Sequence, residues 1–309
     1  MATRWWRAEM SYRFQWLTVK LIQKGSVRNK KPQAPNGNKS QMNTTENVWL
    51  RVAKLSKHFG AVIALEAVDA SIRLGEVLAL VGDNGAGKST LVKLLSGAYA
   101  PSEGEVTIDD SPVTIENPGK ARQLGIATIF QELALVENLT VYENIFLGRE
   151  IVQPIIGLPI LDKKRMRNRV EQLMDELGSH IPSPSALVSD LSGGQRQAVA
   201  IARAIDLETK LVIMDEPTAS LAVVETRNVL RLIEQLRDNG KGVLLVSHNL
   251  NEVFEVADRI VVLRRGRKVA ECERSETDLD KVVSWITGAK SGPQLNAPDY
   301  KTAHGGDQH

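Results

Sequence analysis

The sequence predicts an α/β fold built on a mostly parallel sheet flanked by helices. Compact aliphatic runs recur along the middle of the chain: "EVLALVG", "GIATIFQ", "KLVIMDE", "GVLLVSH" and "RIVVLRRG". Short apolar runs bounded by turn residues suit strands that are buried on both faces. Helical patterns lie between most of them, and strands alternating with helices are joined into a parallel sheet by crossovers. Composition agrees, because 42% hydrophobic, 25% charged and 5% aromatic residues over 309 positions are the proportions of a globular chain.

Taken in order, residues 1–45 read as a basic tail and linker. They hold nine Lys/Arg against the single acid Glu9, a local charge of +8, so a chain of net +2 leaves a remainder of −6. The acidic remainder argues against a nucleic-acid-binding body, which would carry a basic face. The tail also holds Trp5, Trp6 and Trp16 and ends in a polar stretch without apolar periodicity. Residues 1–41 are expected to be dispensable, with Met42 as the natural start. The rival reading is a membrane-surface arm, since Trp with Lys/Arg suits an anionic lipid interface.

The body is expected over 46–289. Within it, "KKRMRNRVEQLMDEL" places Met166, Val170, Leu173, Met174 and Leu177 at helical spacing, so one face is apolar and the other charged. No run of about 18 apolar residues is present to span a bilayer. The lone Cys272 cannot form an internal disulfide and reads as a half-buried strand residue. Residues 290–309 read as a flexible tail, in which His304 and His309 have no partner ligands nearby.

The chemistry starts at "LALVGDNGAGKSTLVKLL". Gly82, Asp83, Asn84, Gly85, Ala86, Gly87, Lys88, Ser89 and Thr90 fit the spacing G-x-x-x-x-G-K-[ST] between a strand and a helix. Glycines let successive N–H groups point inward as a nest, and the following helix adds partial positive charge at its N-terminus. Such a cradle suits the phosphates of a nucleoside triphosphate. Lys88 reaches the β- and γ-phosphates, and the Ser89 hydroxyl takes one position on Mg²⁺. A second acidic element is then needed, and "LVIMDEPTAS" supplies it at a strand end. Asp215 would hold Mg²⁺ through water, and Glu216 is the candidate general base for the attacking water.

Further motifs resemble those of the ATP-binding-cassette (ABC) ATPases. "LSGGQRQAVAIARAI" is similar to that family's signature and lies upstream of the acidic strand; "IFQEL" puts Gln131 at its Q-loop; "VSHNL" puts His248 at its switch histidine; "KHFG" puts Phe59 where the family stacks an aromatic on adenine. With the phosphate turn, these motifs fall in the family's order over residues 48–288. The resemblance implies a P-loop NTPase core with an N-terminal antiparallel β part, plus an inserted α-helical subdomain at about 134–190. It implies ATP and Mg²⁺ as cofactors. It also gives roles: Ser192, Gly193, Gly194 and Gln195 present a hydroxyl and backbone N–H groups to a γ-phosphate, His248 donates to the same phosphate, and Gln131 touches Mg²⁺ or the lytic water. The chain departs from the pattern at Ala222, where many members carry an Asp.

The chain lacks a long heptad region and cysteine pairs, and it resembles one cassette where translation factors have two. Transport is the class left, with the pore on separate chains. "IFQELALVENLTVYENIFLGRE" and "VSHNLNEVFEVADRIVVLRRG" resemble the ribose-type bacterial sugar importers, above all single-cassette relatives similar to fructose import ATPases. That likeness implies a monosaccharide importer's ATPase, peripheral on the cytoplasmic face of the inner membrane. Its partners would be a second ATPase subunit, a sugar permease and, indirectly, a periplasmic sugar-binding protein. The alternatives are a cassette for another small solute or lipoprotein system, and a soluble ABC ATPase outside transport.

Overall fold

The computed structural model describes residues 48–130, 133–155, 158–205, 209–219 and 221–293. The readings for residues 1–45, for Gln131, and for His304 and His309 therefore lie outside the described residues.

In chain order, β1 (Val48–Phe59) and β2 (Val62–Arg73) form a long antiparallel hairpin, and β3 (Val77–Val81) runs into α1 (Lys88–Leu95). β4 (Glu103–Ile108) turns back through β5 (Ser111–Val113), and α2 (Pro118–Gln123) precedes β6 (Ile126–Ile129). Before β9 (Leu211–Asp215) come α3 (Val141–Phe146), a ribbon of β7 (Val152–Ile155) and β8 (Leu158–Leu161), α4 (Lys163–Glu176) and α5 (Gly193–Ala204). The remaining elements are α6 (Val223–Asp238), β10 (Gly242–Val246), α7 (Leu250–Val256), β11 (Arg259–Arg264), β12 (Arg267–Glu273) and α8 (Leu279–Thr287).

All of the aliphatic runs become strands of one sheet, in the order β12-β11-β3-β10-β9-β6. Every neighbour is parallel except β12, which returns antiparallel to β11. Only Arg265 and Gly266 join that pair, too short a link for a crossover, so the two strands must form a hairpin. The second sheet, β2-β1-β4-β5, is antiparallel throughout, as the family resemblance implied. Cys272 lies in β12 and is buried rather than half-buried, and burial pushes its thiol up to about 11.

Two apolar cores meet across the central sheet. One encloses α1 between the two sheets, with Leu50, Leu65, Leu78, Leu91 and Leu95. The other packs Met166, Val170, Leu173, Val199, Met214 and Leu230 from α4, α5, β9 and α6. The expected amphipathic helix appears as α4, capped by the Asp162 carboxylate, which accepts from the Arg165 N–H at 2.9 Å. Its Met166, Val170, Leu173 and Met174 are buried, the face that the spacing selects. The adjoining α5 packs against α3, α4 and α6.

The two sheets are also joined by buried charge. The Arg259 guanidinium, 2% exposed, reaches Glu76 at 2.9 Å, Glu271 at 3.2 Å and the Ser71 hydroxyl at 3.2 Å. Burial raises the Glu76 pKa despite the guanidinium beside it, so desolvation outweighs the attraction there. Arg259→Ala leaves two buried carboxylates without that partner and is expected to cost about 3–5 kcal/mol of stability. Denaturant unfolding measures it, and a loss below about 1 kcal/mol would deny the network its structural role.

Candidate nucleotide site

The phosphate turn is shaped by its backbone. Gly82 has φ 150°, and a Cβ there would lie 2.2 Å from the Leu263 carbonyl oxygen; Gly87 has φ 106°, and a Cβ would meet the Leu65 side chain at 2.7 Å and the Ala64 carbonyl oxygen at 2.8 Å. Side chains are excluded at both ends of the turn, and the chain must pass close to β2 and β11. Within it the Ala86 N–H donates to the Asp83 carbonyl at 3.0 Å. Gly87 is the N-cap of α1 and makes no side-chain cap, so the first-turn N–H groups face the turn without a competing side-chain acceptor.

Lys88 is 7% exposed, and its ammonium donates to the Gly82 carbonyl at 2.6 Å and to the Asp83 carbonyl at 3.1 Å. Burial lowers its pKa, while the charges of Glu216, Asp215 and Asp83 hold it up. The acidic strand end and the phosphate turn therefore share one electrostatic site. Asp215 shows the reciprocal effect: burial first, then the Glu216 charge, raises its pKa, and Lys88 and Lys93 oppose them.

Sheet order brings the next group in. β9 and β10 run parallel with Asp215 opposite Val246, so the residues just beyond each strand emerge side by side. The Glu216 N–H donates to the Val246 carbonyl at 2.9 Å, and Glu216 sits at φ 51°, a left-handed conformation costly for a side-chain-bearing residue. Its carboxylate lies 3.3 Å from His248 Nδ1. His248 is exposed, at the edge of an open cleft of about 490 Å³ that Glu216, Thr218, Asn249 and Glu252 also line. The Thr218 hydroxyl donates to Glu252 at 2.5 Å and the Asn249 amide to the same carboxylate at 2.8 Å, which pins the turn bearing His248.

Phe59 ends β1 with 43% of its surface exposed. Tyr99 meets it edge-on at 5.3 Å between centroids, and the Lys57 ammonium lies 5.2 Å from the Phe59 ring. One aromatic face, supported from the side, is available to a flat ligand.

Ser192, Gly193, Gly194 and Gln195 form a separate feature. Ser192 caps α5, accepting from the Gln195 N–H at 3.3 Å, while the Gln195 side chain accepts from the Ser192 N–H at 3.0 Å. A Cβ on Gly193 would meet the Leu221 and Glu225 side chains, and one on Gly194 would meet Glu225. The structure thus brings Lys88, Asp215, Glu216 and His248 together and seats Gly193 and Gly194 against Glu225 of α6 instead. Tyr99, Glu225, Thr218 and Glu252 were not singled out from sequence. Glu252 had a local signal, three residues after the capping Asn249; the others become visible only in three dimensions.

Comparison with known proteins gives the family. The family model described as ABC transporter matches residues 65–219. A xylose/arabinose import ATP-binding protein from Sulfolobus acidocaldarius is 46% identical over 243 residues, covering 79% of this chain and 95% of that protein. A fructose import ATP-binding protein from Rhizobium meliloti is 45% identical over 244 residues, covering 78% and 94%. Among solved structures, a dimeric post-hydrolysis ATP-binding cassette bound to ADP and Pi aligns with a TM-score of 0.60 at 27% identity, covering 73% of this chain and 98% of that one. A strand-to-helix phosphate turn whose lysine shares its field with two acids at the end of β9 suits a triphosphate, and with relatives matched over nearly their full length the chain belongs to the ABC transporter family, as an ATP-hydrolysing cassette.

Proposed function

We propose that this cassette powers import of a monosaccharide, a pentose or fructose, through a separate permease on the cytoplasmic face of the inner membrane. The observation that carries the sugar assignment is the 46% and 45% identity to two sugar import ATP-binding proteins over nearly their whole lengths. Purified cassette with its permease and binding protein in lipid vesicles tests it. Turnover should rise on adding xylose, arabinose, fructose or ribose, and a response to none of them rejects the sugar reading.

The chemistry proposed for the site follows its geometry. The turn from Gly82 to Thr90 holds the phosphates, Lys88 moves from its carbonyl partners onto the β- and γ-oxygens, and Phe59 stacks on the base. The Ser89 hydroxyl and the Asp215 carboxylate are hard oxygen donors beside the cradle, a set that fits Mg²⁺, with Gln131 proposed as a further contact. Mg²⁺ held there would supply positive charge against the phosphates. Glu216 orients the attacking water and takes its proton, and His248, within reach of Glu216, contacts the γ-phosphate. Phe59→Ala is expected to weaken nucleotide binding by about 1 kcal/mol, roughly fivefold, through lost stacking. Titration with a fluorescent nucleotide reads it, and unchanged affinity would remove Phe59 from the site.

Two copies are proposed to share two sites, the turn of one facing Ser192–Gln195 of the other, as the dimeric state of the related cassette suggests. The permease contact is proposed at a cleft of about 340 Å³ lined by Phe130, Leu133, Leu147, Arg149 and Arg203, next to Gln131 in sequence. Arg203, at the end of α5, donates to the Leu133 carbonyl at 2.8 Å and to the Ala134 carbonyl at 2.7 Å, and Arg149 donates to the Arg203 carbonyl. These bonds tie the segment after Gln131 to the far end of the helix that Ser192 caps, a direct route from nucleotide state to permease.

A further inference from the structure

The nest at the start of α5 is already in contact with an anion. The Glu225 carboxylate, in the first turn of α6, lies against the backbone of Gly193 and Gly194, and the polar groups of Ser192–Gly194 stabilise its charge. Built Cβ positions show how close it lies: one on Gly193 would be 3.0 Å from Glu225 Oε2, and one on Gly194 would be 3.2 Å from Glu225 Cβ. The same Oε2 accepts from the Ala222 N–H at 3.3 Å. Ala222 carries no side-chain oxygen, so among the described residues Glu225 supplies the side-chain cap of α6, and the carboxylate bridges two helix starts. These contacts hold the Glu225 carboxyl below the ordinary carboxylate range, as expected for an anion held by backbone donors.

Beside it, Val223 and Val224 are each 71% exposed. Two adjacent valines standing in solvent next to an anion-holding helix start make a surface suited to a second copy of this chain.

We propose that Glu225 is an internal competitor for the γ-phosphate: in the separate subunit its carboxylate holds the Ser192–Gly194 donors, and the ATP carried by a second copy must displace it before the pair closes. The inference rests on the shared-site reading above. Its physical basis is that one set of converging donors cannot satisfy a carboxylate and a phosphate at once, and the two anions repel. The displaced carboxylate has a second seat on the Ala222 N–H, so the cap of α6 survives the exchange. The consequence is a raised ATP threshold for closure, set by a residue remote from the bound nucleotide's own subunit. ATP affinity of the single subunit is left alone.

The test is an ATP titration followed by sedimentation, with all proteins carrying Glu216→Gln so that closed pairs persist. Adding Glu225→Ala is expected to lower the ATP concentration at half-dimerisation about tenfold, the worth of one charge-assisted contact set. Glu225→Gln, which keeps the length and the bond to Ala222, should lower it by a smaller factor. That second variant retains the cap of α6, so a folding defect in the alanine protein cannot hide the answer. Fluorescent-nucleotide affinity of the monomers should stay unchanged in both. An equal or higher ATP midpoint in both variants overturns the proposal while leaving the shared site standing. If the Glu216→Gln parent never dimerises at any ATP concentration, the shared site itself fails, and this proposal with it.

Discussion

Lys88→Ala is expected to lower ATP turnover at least a hundredfold and to weaken nucleotide binding with it. The ammonium is the buried cation at the mouth of the turn, held by the Gly82 and Asp83 carbonyls at 2.6 and 3.1 Å and by the field of two acids. Moved onto phosphate oxygens, it makes charge-assisted bonds worth about 1.5–3 kcal/mol each, and two of them account for a hundredfold or more. Removing it also leaves Asp215 and Glu216 facing the phosphates without that screen, so repulsion adds to the loss. Steady-state hydrolysis and fluorescent-nucleotide titration measure the two effects. Retained turnover in the alanine protein would show that the phosphates sit elsewhere.

Glu216→Gln is expected to separate binding from chemistry. The amide keeps the shape of a residue held at φ 51° by its N–H bond to Val246, so the backbone needs no adjustment. It cannot take a proton from water, and general-base catalysis is worth about 10²–10⁴-fold, so turnover should fall in that range. Nucleotide affinity should persist, and the protein should accumulate as an ATP-dependent dimer because the step that breaks the pair is stalled. Sedimentation with and without ATP, alongside a hydrolysis assay, gives both readings. Full turnover in the amide would transfer the base role to another group, and a protein that remains monomeric at high ATP would refute the shared site for this chain.

The two predictions depend on different kinds of information. Lys88 was legible because the turn is a local object: glycines that exclude side chains, a lysine and a hydroxyl are consecutive, and the strand and helix on either side show in a few residues of pattern. The same holds for the buried strands and for α4, whose apolar spacing named the buried face correctly. Ala222 was noticed as a departure, yet its consequence was not readable, because the replacement cap comes from a carboxylate that also reaches α5. Cys272 was placed on a strand, but how deeply it is buried depends on what packs over β12.

What the sequence by itself determined, then, was the chemistry available and the local frames that hold it: the phosphate turn, the acidic strand end and the alternation that makes an α/β sheet. Tertiary structure decided which frames face one another. β3, β10 and β9 are equally aliphatic, so nothing in their composition distinguishes one neighbour from another; the order β3-β10-β9 is settled by helix crossovers and packing on both faces of the sheet. That order places Asp215 opposite Val246, and with it Glu216 beside His248 and both acids in the field of Lys88. Glu225 reached the start of α5 for the same reason. Contacts between distant segments follow from how the elements pack, and periodicity along the chain, which reports only which face is buried, does not specify the partner across it.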